Sequence, residues 1–96
     1  MRSKEELTKM VLHDFERMTA SEREGVRSRI EKELDAQLTR IATIHQTLEP
    51  HKEWFLNLPK NEALELVEGV QKAIDFTEEL KILLEVVNDF LKKCDL

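Results

Sequence analysis

This chain of 96 residues contains one cysteine, two glycines, two prolines and no tyrosine. Each scarcity removes a class of explanation. Cys94 has no partner for an internal disulfide, and no CxxC or CxxxH spacing offers a structural zinc site. A chain this short buries a limited share of its surface, so without a staple it depends on regular helix packing or on a partner. The single thiol fits a reducing compartment, and an intracellular, cytoplasmic location is the expectation. Gly25 and Gly69 stand alone, which leaves no glycine-rich loop to cradle a phosphate. Long apolar runs are missing too, the longest being three residues at 10–12, 54–56 and 82–84. That is far short of the ~20 residues of a membrane-spanning helix, and the charged first turns do not resemble a secretory leader.

Candidate chemistry is equally sparse. His13, His45 and His51 form neither HxxxH nor ExxH spacing, so the di-iron carboxylate pattern of helical bundles is absent. His45 and Glu49 are an i,i+4 pair that reads as a surface contact rather than a ligand set. Cys94 lies at a chain end, where fraying opposes a preorganised nucleophile. No catalytic, cofactor-binding or metal-ligating residue is assigned, and the expectation is a non-enzymatic protein.

Charge narrows the partners. Residues 1–61 balance eleven basic side chains against eleven acidic ones, whereas residues 62–96 hold four against nine, the whole of the −5 net charge. An acidic C-terminal third opposes phosphate-backbone binding, and no nucleic-acid partner is expected. Arg23, Arg27, Arg29 and Lys32 are interleaved with Glu22, Glu24, Glu31 and Glu33, the pattern of a solvated helix face with i,i+4 pairs.

What the chain has in abundance is helix-forming residues, and 36% of the chain is charged and 41% hydrophobic. Apolar positions recur at helical spacing, and nothing alternates with period two. Ser3 and Glu6 form a capping box that opens a first helix over about 4–18, with Leu7, Val11, Phe15 and Met18 on one stripe. A second box, Ser21 to Glu24, opens a second helix over about 22–48. Its seam of Ile30, Leu34, Leu38, Ile41, Ile44 and Leu48 has heptad character. Glu49-Pro50 disfavours α conformation at 49 and predicts a break. Between Pro50 and Pro59 lies a short helical connection, 50–58, carrying Trp54 and Phe55. Asn61 is the expected N-cap of a third helix, about 62–93. At 1.5 Å per residue this helix is roughly 48 Å long, against a diameter of about 32 Å for a compact globule of this size. The expected fold is therefore an all-α, elongated three-helix bundle over 1–96: a helical hairpin, a Pro-bounded connection and a long C-terminal helix, with coiled-coil-like packing.

The third helix carries the functional expectation. Leu66, Val70, Ala73, Thr77, Leu80, Leu84, Val87, Leu91 and Cys94 follow a 4-3-4-3 repeat, and Phe76, Leu80, Leu83, Val87 and Phe90 make a second seam beside it. Its polar residues Glu78, Lys81, Glu85, Asn88, Asp89 and Lys92 gather on one narrow stripe. A surface helix needs an apolar stripe of only ~100°, and this one exceeds it. Leaving Leu83, Val86 and Phe90 wet would forgo roughly 1.5–3 kcal/mol each, so residues 76–91 should be the least exposed part of the assembly. Two readings follow: either the chain's own helices cover this face, or another protein chain does. The leading expectation is a scaffold or adaptor subunit that binds a partner, hetero or self, through Phe76, Leu80, Leu83, Leu84, Val87, Phe90 and Leu91. Trp54 and Phe55 would act as a secondary anchor. The alternative is a self-contained acidic regulator or inhibitor that acts as a monomer on a basic site.

Overall fold

A computed structural model describes residues 2–94. The order is α1 (Lys4–Phe15), α2 (Ala20–Leu48), a 3₁₀ turn (Glu49–His51), α3 (Lys52–Leu56) and α4 (Lys60–Cys94). The chain is an all-α elongated bundle of three long helices with a short helical connection.

The helix boundaries follow from where backbone groups find partners. Ser3 Oγ accepts from the Glu6 N–H at 3.2 Å and starts α1, but Glu6 takes the Ser3 hydroxyl at 3.3 Å rather than reaching the Ser3 backbone. α1 stops at Phe15, short of Met18. The Phe15 carbonyl is closed by the Met18 N–H at 3.1 Å and by Arg23 Nε at 2.9 Å. The capping box of α2 is Thr19–Glu22, not Ser21–Glu24: Thr19 Oγ1 accepts from the Glu22 N–H at 3.2 Å, and the Thr19 N–H donates to Glu22 Oε1 at 3.1 Å. Both tetrads have the required T/S-x-x-E form. The earlier one leaves Glu24 free to pair with Arg27, which also binds Glu31 at 2.5 Å. Glu24, Arg27 and Glu31 thus pair along the helix surface as the interleaving suggests, whereas Arg23 turns inward to the Phe15 carbonyl.

The proline-bounded connection is tighter than the sequence suggests. Glu49 keeps α geometry (φ −56°, ψ −48°) with its N–H bonded to the His45 carbonyl, so the chain passes from α2 directly into the 3₁₀ turn. Pro50, lacking an N–H, ends the α ladder without forcing an extended residue. The Pro59 carbonyl accepts from the Ala63 N–H at 3.0 Å, which starts α4 at Lys60 and places Asn61 inside the first turn rather than at the cap. α4 then runs 35 residues without interruption, through Gly69.

Shape follows from α4. Thirty-five residues span about 52 Å, and the molecule measures 56 × 21 × 16 Å. Its radius of gyration is 17.7 Å, against about 12 Å for a compact chain of this length. α2 packs antiparallel along α4. α1 lies beside the C-terminal half of α4 only, tied by Arg2 to Glu79 and by Lys4 Nζ to Glu85 Oε1 at 3.0 Å. The rod therefore has a three-helix end and a two-helix end.

Candidate protein-binding surface

The apolar face of α4 divides near Phe76. C-terminal to it, Leu80 and Val87 are buried in a core with Val11, Phe15, Ile30 and Val86, and Leu83, Leu84, Phe90 and Leu91 are half-buried against that core. Phe15 meets Phe90 edge-on with ring centroids 5.5 Å apart, and the Arg23 guanidinium lies 5.1 Å over the Phe90 ring. Arg23 Nη1 also approaches Cys94 Sγ at 3.5 Å. Thr77 is buried, with its hydroxyl donating to the Ala73 carbonyl at 2.8 Å. Of the nine positions expected to meet a partner, Leu80, Leu83, Leu84, Val87, Phe90 and Leu91 are thus covered wholly or in part by α1 and α2. The C-terminal apolar face is internal core first.

The other three lie toward the far end. Phe55 is half-buried, while Phe76 and Trp54 are exposed by 43% and 56%. Around them are further apolar residues exposed by 39–78%: Leu38 and Leu66, which head or continue the expected seams, and Leu56, Leu64 and Val67, which belong to neither seam. A readable signal did exist. Leu64, Val67, Gln71 and Ile74 continue, at 3-4-3 spacing, the stripe that becomes Glu78, Lys81 and Glu85. On that stripe the helix is charged where it faces solvent beside the core and mostly apolar before residue 75. The denser apolar residues of 80–91 are covered by α1 and α2.

Two depressions open between α2 and α4 at this end. One, of about 520 Å³, is lined among others by Thr47, Leu66, Val67 and Gly69. The second, of about 440 Å³, is lined by Ile41, His45, Lys52, Leu56 and Ile74 among others. They share Ile44, Leu48, Phe55 and Val70. Both are mostly apolar, with a polar lip. On that lip Lys52 Nζ bonds Glu49 Oε1 at 2.9 Å, and this hydrogen bond holds the Glu49 carboxyl below the usual carboxylate range. The chemistry on offer is therefore burial of apolar side chains, with few polar groups to orient a small ligand. Among the described residues, no group of three or more His, Cys, Asp or Glu is arranged to hold a metal ion, and no helix is long and apolar enough to cross a membrane.

No protein family, curated protein or solved structure matches this chain.

Proposed function

We propose that the chain is a helical protein–protein interaction subunit that assembles through its two-helix end. The observation that carries this reading is the uncovered apolar surface between residues 38 and 76, which includes Leu56, Leu64 and Val67 and is exposed by up to 78%. Monomeric proteins rarely expose a contiguous apolar patch above several hundred Å², and such patches usually mark docking sites. The main site expected over Phe76–Leu91, with Trp54 and Phe55 as a secondary anchor, accordingly shifts to the N-terminal half of α4, the end of α2 and the connection carrying Trp54.

Val67→Glu tests the proposal, because Val67 lines the larger depression and is half exposed. The variant keeps the parent's helix content and cooperative melt but loses association with a stoichiometric co-purifying chain. The reading fails if the parent associates with nothing, or if Val67→Glu unfolds the isolated chain. Binding that weakens steeply with salt while tolerating Val67→Glu would instead favour the acidic-regulator reading.

A further inference from the structure

A second copy of this chain, running antiparallel, is what we infer fills the place along α4 that α1 leaves vacant. The inference goes beyond the proposed function: it uses the Gly69 side of α4, next to the exposed Leu66 and Phe76 and roughly 160° around the helix from Val67. It begins from the stripe Glu65, Gly69, Lys72, Phe76, Glu79, Leu83, Val86 and Phe90, a continuous 4-3-4-3 repeat down one side of α4. Its second half lies beside α1: Glu79 bonds Arg2, Val86 and Phe90 line a cleft with Val11 and Leu12, and Phe90 meets Phe15. The first half has no helix over it, and the larger depression opens there beside Gly69 and Leu66.

Three features of the vacant stretch suit a copy of itself. The first is length. α4 begins at Lys60, and the segment leading into α1 reaches it at Glu79 through Arg2, so the uncovered stretch is 60–78, with Gly69 at its midpoint. An antiparallel copy centred there ends where α1 starts and fills the stripe end to end. The second is Gly69 itself. A glycine inside a helix weakens it relative to alanine. Gly69 lacks a positive φ, and an added Cβ would meet nothing within 4 Å, so neither the local backbone nor internal packing explains it. A missing side chain at the crossing point lets two helices approach closely. The third is charge. Antiparallel pairing about Gly69 sets Glu65 of each copy within one residue of Lys72 of the other. Parallel pairing would stack Glu65 on Glu65 and Glu68 on Glu68. Because each copy also brings its own α2, the result is a four-helix bundle at the centre of a longer rod, capped at both ends by α1.

The test uses the full chain. Light scattering is expected to show a dimer at micromolar to millimolar concentration. Gly69→Gln should raise the thermal midpoint of the dilute monomer, since glutamine is the better helix former, yet weaken the dimer by about tenfold or more in Kd. In a Cys94→Ser background, mild oxidation by diamide should couple Gly69→Cys to itself. It should also couple Glu65→Cys to Lys72→Cys faster than Glu65→Cys to itself. A chain that stays monomeric across that range overturns the inference, as does a dimer unmoved by Gly69→Gln or one that crosslinks best through Glu65→Cys alone. A monomer that still holds a different chain, and releases it on Val67→Glu, overturns the inference and leaves the proposed function standing.

Discussion

The two ends of α4 carry the same kind of repeat and meet different fates. At the C-terminal end, every second or third apolar residue disappears into a core. At the N-terminal end, comparable residues stay wet. The difference is a helix of only 12 residues. α1 contributes Leu7, Val11 and Phe15, and all the buried hydrophobic residues that α2 and α4 contribute, Ile30, Leu80, Val86 and Val87, lie in the halves of those helices beside it. Two antiparallel helices bury one seam between them; a third converts that seam into an interior. The far half of the hairpin has the seam without the interior, which is why Ile41, Ile44 and Leu48 are only half-buried although they continue the same heptad pattern.

The sharpest way to break this comparison is to make one truncation at both ends. Leu80→Ala removes a buried side chain from the three-helix end and should cost about 2–5 kcal/mol. Leu64→Ala removes a half-exposed one from the two-helix end and should cost under about 0.5 kcal/mol. Urea denaturation at high dilution, where association contributes nothing, measures both. Similar costs would mean that the two ends are packed alike and that the far end hides no vacancy.

A smaller effect separates the two candidate capping boxes that set the angle between α1 and α2. Thr19→Ala removes the acceptor used by the Glu22 N–H and should cost about 1 kcal/mol, whereas Ser21→Ala, on an exposed position of the first turn, should be close to neutral. Equal losses would return the cap to Ser21 and lengthen the turn. The consequence reaches the core, because α2 starting at Ala20 is what lets Arg23 close the Phe15 carbonyl and lie over Phe90.

Much of the fold was legible from spacing alone. The three long helices, the connection and a rod-like shape all follow from apolar periodicity, two prolines and the length of the last helix. What spacing left ambiguous was local competition and pairing. Thr19-x-x-Glu22 and Ser21-x-x-Glu24 satisfy the same rule, and only the tertiary partner of the Phe15 carbonyl decides between them. Pro50 ends α2 at Leu48 as the spacing predicts, but Glu49 keeps α geometry and a 3₁₀ turn follows in place of an extended residue. The site was less legible than the fold. The density of apolar residues in 80–91 says that this surface must be covered, yet not by what. That depends on α1 lying on α4 from Glu79 onward, a long-range fact without a local signature. By contrast, the change from apolar to charged at residue 78 along the Leu64–Ile74 stripe is in the sequence and marks where exposed apolar surface gives way to charged, solvent-facing surface.

Aromatic packing under α1 offers a finer measurement. Phe15 and Phe90 form an edge-to-face pair, so a double-mutant cycle with leucine at each position should give a coupling of about 0.5–1.5 kcal/mol beyond area burial. Pairing Phe76 with Phe15 in the same cycle should give none, because Phe76 lies past the N-terminal end of α1. Coupling between those two would place α1 further along α4 and shorten the vacant stretch.

The smallest expected effect concerns the point where the covered stripe ends. Glu79 accepts from Arg2 Nε at 2.6 Å and from the Arg2 N–H at 3.4 Å, and chiefly the side-chain bond holds its carboxyl below the ordinary value of 4.5. A carboxyl with a lowered folded-state pKa adds stability above its unfolded value, and that stability is lost as pH falls through the folded one. The Arg2–Glu79 tie should therefore hold α1 fully at neutral pH and release it progressively below about 4.5. Because Arg2 is half exposed, solvent screens the pair and the effect stays small. Glu24 and Glu49 are lowered as well and titrate in the same window, so acid sensitivity of the whole chain does not isolate this contact. Comparing the parent with Glu79→Gln does. Their difference in stability should be constant near neutral pH and vanish in acid, and hydrogen exchange should show the loss first at the amides of Leu7 to Val11. A difference that persists in acid would assign Glu79 a packing role, leaving Leu7 and its neighbours to fix where α1 begins on α4.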